Sequence, residues 1–373
     1  MTMNTRGKQR ALLAFAFLQV SEKEKKRRIG ELREIVRSCG GEVIECITQN
    51  VLRYHPATLL GKGKIEEMAQ MVEEQSIDLV VFEQELSGAQ RLHLSEMLPC
   101  RVLDRVDLIL DIFALRARSK KAKVDVELAQ LAYRLPALRG YGKALSRTGG
   151  GIGTRGPGEK KLETDRRTIE QRIKRLRKQR ERITAQEREA GKRRRQSTYP
   201  IVGLVGYTNA GKSTIMNALL SHFGRKEKEV YADDRLFATL EVSMRRIEEP
   251  GKGTYLLADT IGFIHDLPKK LSTPFASTME EISYADLLVH VIDAAEEGAN
   301  ERIETVQKCI QECRADIPVL YVLNKMDLGD DGAVTPPEET LRISATCEED
   351  ILRLHQRIQQ QLFGTSAATG RNT

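Results

Sequence analysis

No tryptophan occurs in the 373 residues, and phenylalanine and tyrosine contribute only nine side chains each. None of these rings falls within residues 166–195, the most basic stretch of the chain, so phosphate contact rather than base stacking is predicted for that stretch. No apolar run approaches the ~20 residues that a membrane-spanning helix requires. Ala11 to Val20, about ten residues long, has no small-residue cleavage site and reads as a strand rather than a signal peptide. The six cysteines include no Cys-x-x-Cys pair. Cys309 and Cys313 stand one helical turn apart with no ligand-spaced histidine, which makes them ordinary helix thiols of a reducing compartment rather than a metal pair. The composition is that of a cytoplasmic protein long enough for two or three domains, each with its own core.

What the chain does contain begins with Gly206-Tyr207-Thr208-Asn209-Ala210-Gly211-Lys212-Ser213-Thr214, a complete G-x-x-x-x-G-K-[ST] loop. An apolar strand pattern, Pro200 to Val205, precedes it and a helical one, Ile215 to Leu220, follows, which is the context the motif needs. Gly206 and Gly211 permit a backbone whose N–H groups converge on phosphate oxygens. Lys212 adds charge there, and Ser213 offers a hydroxyl to Mg²⁺. Leu256 to Asp259 is a second strand, ending in Asp259-Thr260-Ile261-Gly262. Asp259 at that end can hold Mg²⁺ through water, and the Gly262 N–H can meet a γ-phosphate. Val319 to Leu323 leads into Asn324-Lys325-Met326-Asp327, where a carboxylate accepts two hydrogen bonds from guanine; adenine lacks that donor pair. Ile343-Ser344-Ala345 supplies a backbone N–H for guanine O6. In this order, each at a strand end, the motifs imply a GTP-hydrolysing domain. Asn209 has two readings, a loop-stabilising side chain or a recruiter of K⁺ beside the phosphates.

The net charge of +7 is unevenly spread. Residues 166–195 hold fourteen Lys or Arg against four acids, a local +10, so the remainder sums to about −3. One basic element ending in Lys192-Arg193-Arg194-Arg195 points to a polyanion met through phosphates, against the blander reading of a solvated helix face. Val124, Leu128, Leu131, Leu135 and Leu138 form one helical stripe. Leu162, Ile169, Ile173, Leu176 and Ile183 form another, interrupted by Arg180; two such helices pack as an antiparallel hairpin. Their connection, residues 140–158, holds eight glycines. Arg139, Lys143, Arg147, Arg155, Lys160 and Lys161 surround them, which favours close approach to folded RNA over a plain linker. Upstream, strands at Ala11 to Val20, Glu42 to Thr48, Ile77 to Phe82 and from Val102 alternate with helices after Ser21, at Lys64 to Gln75 and after Ser87. That pattern predicts a small, mostly parallel sheet. Gly61-Lys62-Gly63-Lys64 lacks phosphate-loop spacing and reads as the lead-in to a helix.

Taken together the chain resembles the HflX family of ribosome-associated GTPases over roughly residues 42–330. The markers are His55-Pro56-Ala57-Thr58 with Gly61-Lys62-Gly63-Lys64, Val126 to Leu131, Gly150 to Glu159 with Leu162 to Arg167, the phosphate loop, Leu236 to Leu240 and Asp259 to Ile264. The resemblance implies a P-loop GTPase domain with a doubly wound sheet, preceded by a small α/β domain and a helical-hairpin linker. We place these at 198–365, 1–105 and 106–197, with a disordered tail at 366–373. It also implies GTP/GDP and Mg²⁺ as cofactors, the large ribosomal subunit and its rRNA as partner, and a GTP form that separates stalled or idle ribosomes into subunits, for example under heat stress. The glycine-rich loop would probe near the peptidyl-transferase centre. Gly150, Gly151, Gly153, Arg155, Arg193, Arg194 and Arg195 are the expected RNA contacts, and the protein is expected to be a monomer without a membrane span.

Lys212, Thr239 and Gly262 are the residues assigned to catalysis, with Thr239 joining Ser213 and Asp259 on Mg²⁺. Phe263 stands where many GTPases carry a water-orienting glutamine, so slow intrinsic turnover completed by a partner is expected. The sequence departs from the family at Glu241-Val242-Ser243-Met244, where a Thr-rich turn is usual. It departs again at Lys160-Lys161 and at Thr346, where a lysine often follows Ser-Ala. A second functional reading is a GTP-switched assembly or RNA-chaperone module that binds ribosome precursors without separating mature ribosomes.

Overall fold

The computed structural model describes residues 8–145, 157–194, 199–224, 243–260, 262, 283–295, 298–313, 316–329, 334–335, 337 and 339–364. Contacts divide the chain into two compact units, residues 1–115 with 123–183 and residues 116–122 with 184–373.

In the first unit, strand β1 (Gln9–Phe17) is buried from Ala11 onward, as a strand covered on both faces must be. Ser21 caps helix α1 (Glu22–Ser38) by accepting the Glu24 N–H at 3.2 Å. Then come β2 (Gly41–Asn50), α2 (Lys62–Glu74), β3 (Leu79–Phe82) and α3 (Gly88–Met97), the last opened by a Ser87–Gln90 capping box. Strand β4 (Arg101–Asp104) runs directly into α4 (Arg105–Arg116), which was not separately anticipated. The four strands lie in the order β2-β1-β3-β4, all parallel. Gly61 is the N-cap of α2, and Lys62 to Lys64 form its first turn, so this segment is a helix start as expected.

Helices α5 (Lys120–Leu145) and α6 (Pro157–Arg194) carry the two apolar stripes. Val124, Leu128, Ile173 and Leu176 are buried together, with Leu131, Leu135, Ile169 and Ile183 packed against them. Glu127 pairs with Arg172 and Asp125 with Arg180, each at 2.7 Å; one partner number falls as the other rises, so the helices are antiparallel. Arg180, which breaks the stripe in sequence, is therefore the counter-ion of a buried aspartate. The connection is shorter than the expected 140–158. Helix α5 continues through Gly140 and Gly142 to Leu145, and α6 opens with Pro157 at its first position. A glycine costs a helix only about 1 kcal/mol, and proline's fixed φ suits the first turn. Residues 146–156 lie outside the described residues, and with them Gly150, Gly151, Gly153 and Arg155.

The hairpin is tied to the sheet by a buried polar cluster. The Tyr133 hydroxyl on α5 donates to Asp104 Oδ2 at the end of β4. The same oxygen accepts from Arg91 at 2.8 Å and from the Leu86 N–H at 3.0 Å, while Arg91 also donates to Asp107 at 2.5 Å. Burial and neighbouring Asp107 raise the Asp104 carboxyl to about 6, against the pull of Arg91.

The second unit contains β5 (Ile201–Gly206), α7 (Lys212–Phe223), β6 (Ser243–Glu249), β7 (Gly253–Asp259) and β8 (Leu287–Asp293). These are followed by α8 (Ala299–Cys313), β9 (Val319–Asn324), β10 (Leu341–Arg342) and α9 (Glu348–Phe363). The sheet order is β10-β9-β8-β5-β7-β6, parallel except for the β6–β7 pair. From β5 the chain passes to β7 on one side and to β8 on the other, so the winding reverses at β5. A crevice outside the carboxyl ends of such strands is where this class of sheet takes its ligand. Helix α9 is fixed through His355, buried between the Tyr255 hydroxyl and Glu249 Oε2 at 3.0 Å each and stacked on Phe223.

Candidate nucleotide site

The loop from Gly206 to Thr214 fills the end of β5 and the start of α7. Two glycines are required by its shape. Gly206 sits at φ +149°, where an added Cβ would lie 2.2 Å from the Val291 carbonyl oxygen. Gly211 is left-handed, and a Cβ there would lie 2.2 Å from Asn324 Nδ2. Asn209 is left-handed too, at φ 63°, a conformation that asparagine tolerates better than most residues. Lys212 is buried and donates to the carbonyls of Tyr207 at 2.7 Å and Gly206 at 3.1 Å. Burial lowers its pKa to about 8, with Asp259 opposing. Tyr207 is buried beneath the Arg302 guanidinium, 4.4 Å from its ring centre. Thr208 is also buried, and its Oγ1 has no hydrogen-bond partner among the described residues. Thr214 is exposed on the first turn of α7.

Ser213 Oγ donates to Asp259 Oδ2 at 2.7 Å, so the hydroxyl and carboxylate named from separate motifs are in contact. Two hard oxygen donors meeting at the mouth of the phosphate loop fit Mg²⁺. Asp259 is fully buried, and the Thr260 hydroxyl next to it donates to the Leu204 carbonyl at 2.6 Å, locking β7 to β5. Gly262 abuts the loop so closely that a Cβ would lie 2.7 Å from Thr208 Cα. Thr239 and Phe263 lie outside the described residues.

The base-recognition motifs also converge. Asn324 Nδ2 donates to the Ala210 carbonyl and Oδ1 accepts the Ala345 N–H, both at 2.9 Å, so one buried amide joins the phosphate loop to the Ser344 turn. Within Ile343-Ser344-Ala345, the segment expected to offer a backbone N–H to guanine O6, the Ala345 N–H is thus held by Asn324. Ser344 Oγ donates to Asp327 Oδ1 at 2.6 Å. Lys325, left-handed at φ 64°, reaches Asp293 Oδ2 at 2.7 Å.

Asp293, His290 and Asp350 were missed from sequence. The first two lie on β8, whose apolar run Leu287 to Ile292 ending in an acid was the available signal. His290 is buried beside the Tyr321 ring, and burial followed by the charge of Lys212 lowers its pKa to about 3. Asp350 accepts the Ser344 N–H at 2.7 Å, a contact made across a loop that no local pattern announces. Of the expected RNA contacts, Arg193 and Arg194 are in the last turn of α6, and Arg195 lies outside the described residues. Among the described residues no helix is long and apolar enough to cross a membrane.

A parallel sheet with a glycine-shaped phosphate loop at its reversal point, a Ser–Asp pair beside it and an Asn-Lys-x-Asp turn opposite defines a P-loop GTPase. Comparison with known proteins agrees. Family models match three successive stretches: the N-terminal region of GTP-binding GTPases over residues 26–114, their middle region over 116–195, and a domain described as 50S ribosome-binding GTPase over 201–325. GTPase HflX of Caldanaerobacter subterraneus is 43% identical over 361 residues, 96% of this chain and 82% of that protein. GTPase HflX of Escherichia coli K12 is 41% identical over 369 residues, covering 97% and 84%. The crystal structure of a GTP-binding protein from the archaeon Sulfolobus solfataricus in complex with GDP shares the fold, with a TM-score of 0.51 and 23% identity over 95% of this chain and 99% of that one. The chain belongs to the HflX family, and it is a GTP-binding enzyme that hydrolyses GTP.

Proposed function

We propose that this GTPase binds the large ribosomal subunit through its rRNA and, in the GTP form, separates stalled or idle ribosomes into subunits, with hydrolysis permitting release. The observation that carries the reading is how the basic residues of α6 are divided. Arg172 and Arg180 are spent on holding α5. Lys174, Arg175, Lys178 and Arg182 are exposed and have no ion-pair partner among the described residues. Positions 174, 178 and 182 recur at helical spacing, so they form a line of cations suited to tracking phosphates. The 50S-binding description of the matched GTPase family model supports the choice of partner, and a ribosomal partner places the protein in the cytoplasm.

At the nucleotide site, the Gly206–Thr214 backbone and Lys212 bind the phosphates, Gly262 meets the γ-phosphate, and Asp327 with the Ser344–Ala345 turn reads guanine. Ser213 and Asp259, joined by Thr239, would hold Mg²⁺, which neutralises phosphate charge when bound. The exposed amide of Asn209 is a K⁺ donor in this reading, tested by loss of K⁺ over Na⁺ preference in Asn209→Ala. The segments 1–105, 106–197 and 198–365 are read as sheet domain, ribosome-contacting hairpin and GTPase domain of a monomer.

The test is to incubate purified ribosomes with the protein and a non-hydrolysable GTP analogue and sediment them across a salt series. Dissociation into subunits is expected, with the salt dependence made shallower by reversing the charges of Lys174, Lys178 and Arg182. Association only with immature particles, leaving mature ribosomes intact, would replace this reading with the assembly-factor one.

A further inference from the structure

Thr346 follows the Ser344–Ala345 turn, and its surroundings give its hydroxyl a role. Ser344 Oγ lies 2.6 Å from Asp327 Oδ1 and 2.7 Å from Thr346 Oγ1. A serine hydroxyl has one proton, and an ionised carboxylate only accepts. The Ser344 proton is therefore committed to Asp327, and Thr346 must donate to Ser344. The two hydroxyls form a directed relay, Thr346 to Ser344 to Asp327, that polarises toward the carboxylate. Below it, Asp350 accepts the Ser344 N–H at 2.7 Å while also pairing with Arg353. Ser344 is buried and held at its backbone and its side chain by groups from two sides. Asp327 itself is exposed and sits in a single 3₁₀ turn, Met326–Leu328, with Gly329 after it. Its direction is set by Ser344, and Ser344 is set by Thr346 and Asp350.

We propose that Thr346 and Asp350 are positioning residues that fix the guanine selectivity of this GTPase by acting on Asp327 through Ser344. The inference rests on Asp327 being the guanine-reading carboxylate. Guanine presents Asp327 with N1–H and an exocyclic amine, whereas hypoxanthine presents N1–H alone. A carboxylate allowed to swing loses more on guanine than on hypoxanthine.

The experiment measures Kd for GDP and for IDP on the full chain by competition with a fluorescent GDP, together with steady-state GTP hydrolysis. Thr346→Val should lower the preference for GDP over IDP about five-fold, the worth of one neutral hydrogen bond. Thr346→Ser should restore it. Asp350→Ala, which frees a buried N–H held by a charged group, should lower the preference by roughly ten-fold or more. KM for GTP should rise in both with kcat unchanged. Equal weakening of GDP and IDP, or an unchanged ratio in Thr346→Val, would overturn the inference by reducing these contacts to fold maintenance. Asp327→Ala separates the two levels of the argument. If it leaves the GDP-to-IDP ratio intact, the assignment of Asp327 itself fails; if it collapses the ratio while Thr346→Val does not, only the relay fails.

Discussion

Acid should loosen the centre of the GTPase unit through His290, which is buried on β8. His290 is 1% exposed on β8, its Nδ1 has no hydrogen-bond partner among the described residues, and Lys212 is close enough to disfavour a second positive charge. Its folded pKa, about 3, lies far below the 6.5 of a free imidazole. The sign follows from proton binding. Between those values the unfolded chain holds a proton that the folded one refuses, so stability is complete above pH 6.5 and falls as the pH drops toward 3. Each pH unit in that window costs about 1.4 kcal/mol, so pH 4.5 should remove roughly 2.5 kcal/mol from β8. Because the ring is almost wholly buried, solvent screening does little to reduce the figure. Hydrogen exchange of peptides covering Leu287–Asp293, corrected for the intrinsic effect of pH, reads this loss directly. His290→Leu should flatten the acid limb while leaving the neutral-pH value within about 1 kcal/mol, the cost of a similar-sized core replacement. An imidazole that titrates near 6.5 by NMR, or an equally steep acid limb in His290→Leu, would refute the reasoning.

Three further outcomes follow from the geometry. Tyr133→Phe removes a buried donor from Asp104 and should destabilise the α5 anchorage by about 2 kcal/mol, seen as faster hydrogen exchange in α5 around residues 124–136 and little change in GDP affinity. With Lys212 at a pKa of about 8, GDP binding at pH 8.5 should take up roughly three quarters of a proton, against about a tenth at pH 7. Calorimetry in buffers of different ionisation heat checks it, and equal uptake at both pH values would contradict a desolvated lysine. Asp327→Asn should turn guanine preference toward xanthine, measured by GTP and XTP hydrolysis side by side; undiminished preference for GTP would remove Asp327 from base recognition.

Much of this architecture could be read before any coordinates. Ser21 and Ser87 mark helix starts in the first unit because caps are local: the side chain and the N–H it serves are a few residues apart. The hairpin was legible for a similar reason, since apolar residues at helical spacing have to face something. Its loop was overestimated because glycine weakens a helix without forbidding it, and α5 runs on past Gly140 and Gly142. Strand β8 was passed over although its run is strongly apolar, because no motif residue drew attention to it. Asp293 and His290 went with it. Arg180 and Asp350 illustrate the harder limit. Their partners, Asp125 and the Ser344 N–H, are set by tertiary packing and by a loop, and neither periodicity nor motif encodes such pairings.

Helix α9 has a consequence for the order in which the protein acquires its properties during synthesis. The polar contact that closes the phosphate loop comes from Asn324, whose amide donates to the Ala210 carbonyl, while α7 behind the loop packs on α9 through Phe223 and His355. The base half waits for Ser344 and then for Asp350, in the first turn of α9. His355, one turn further along, secures that helix against Glu249 and Tyr255. In a growing chain the contacts around Asp327 therefore close last, with the helix that contributes no residue to any of the named nucleotide motifs.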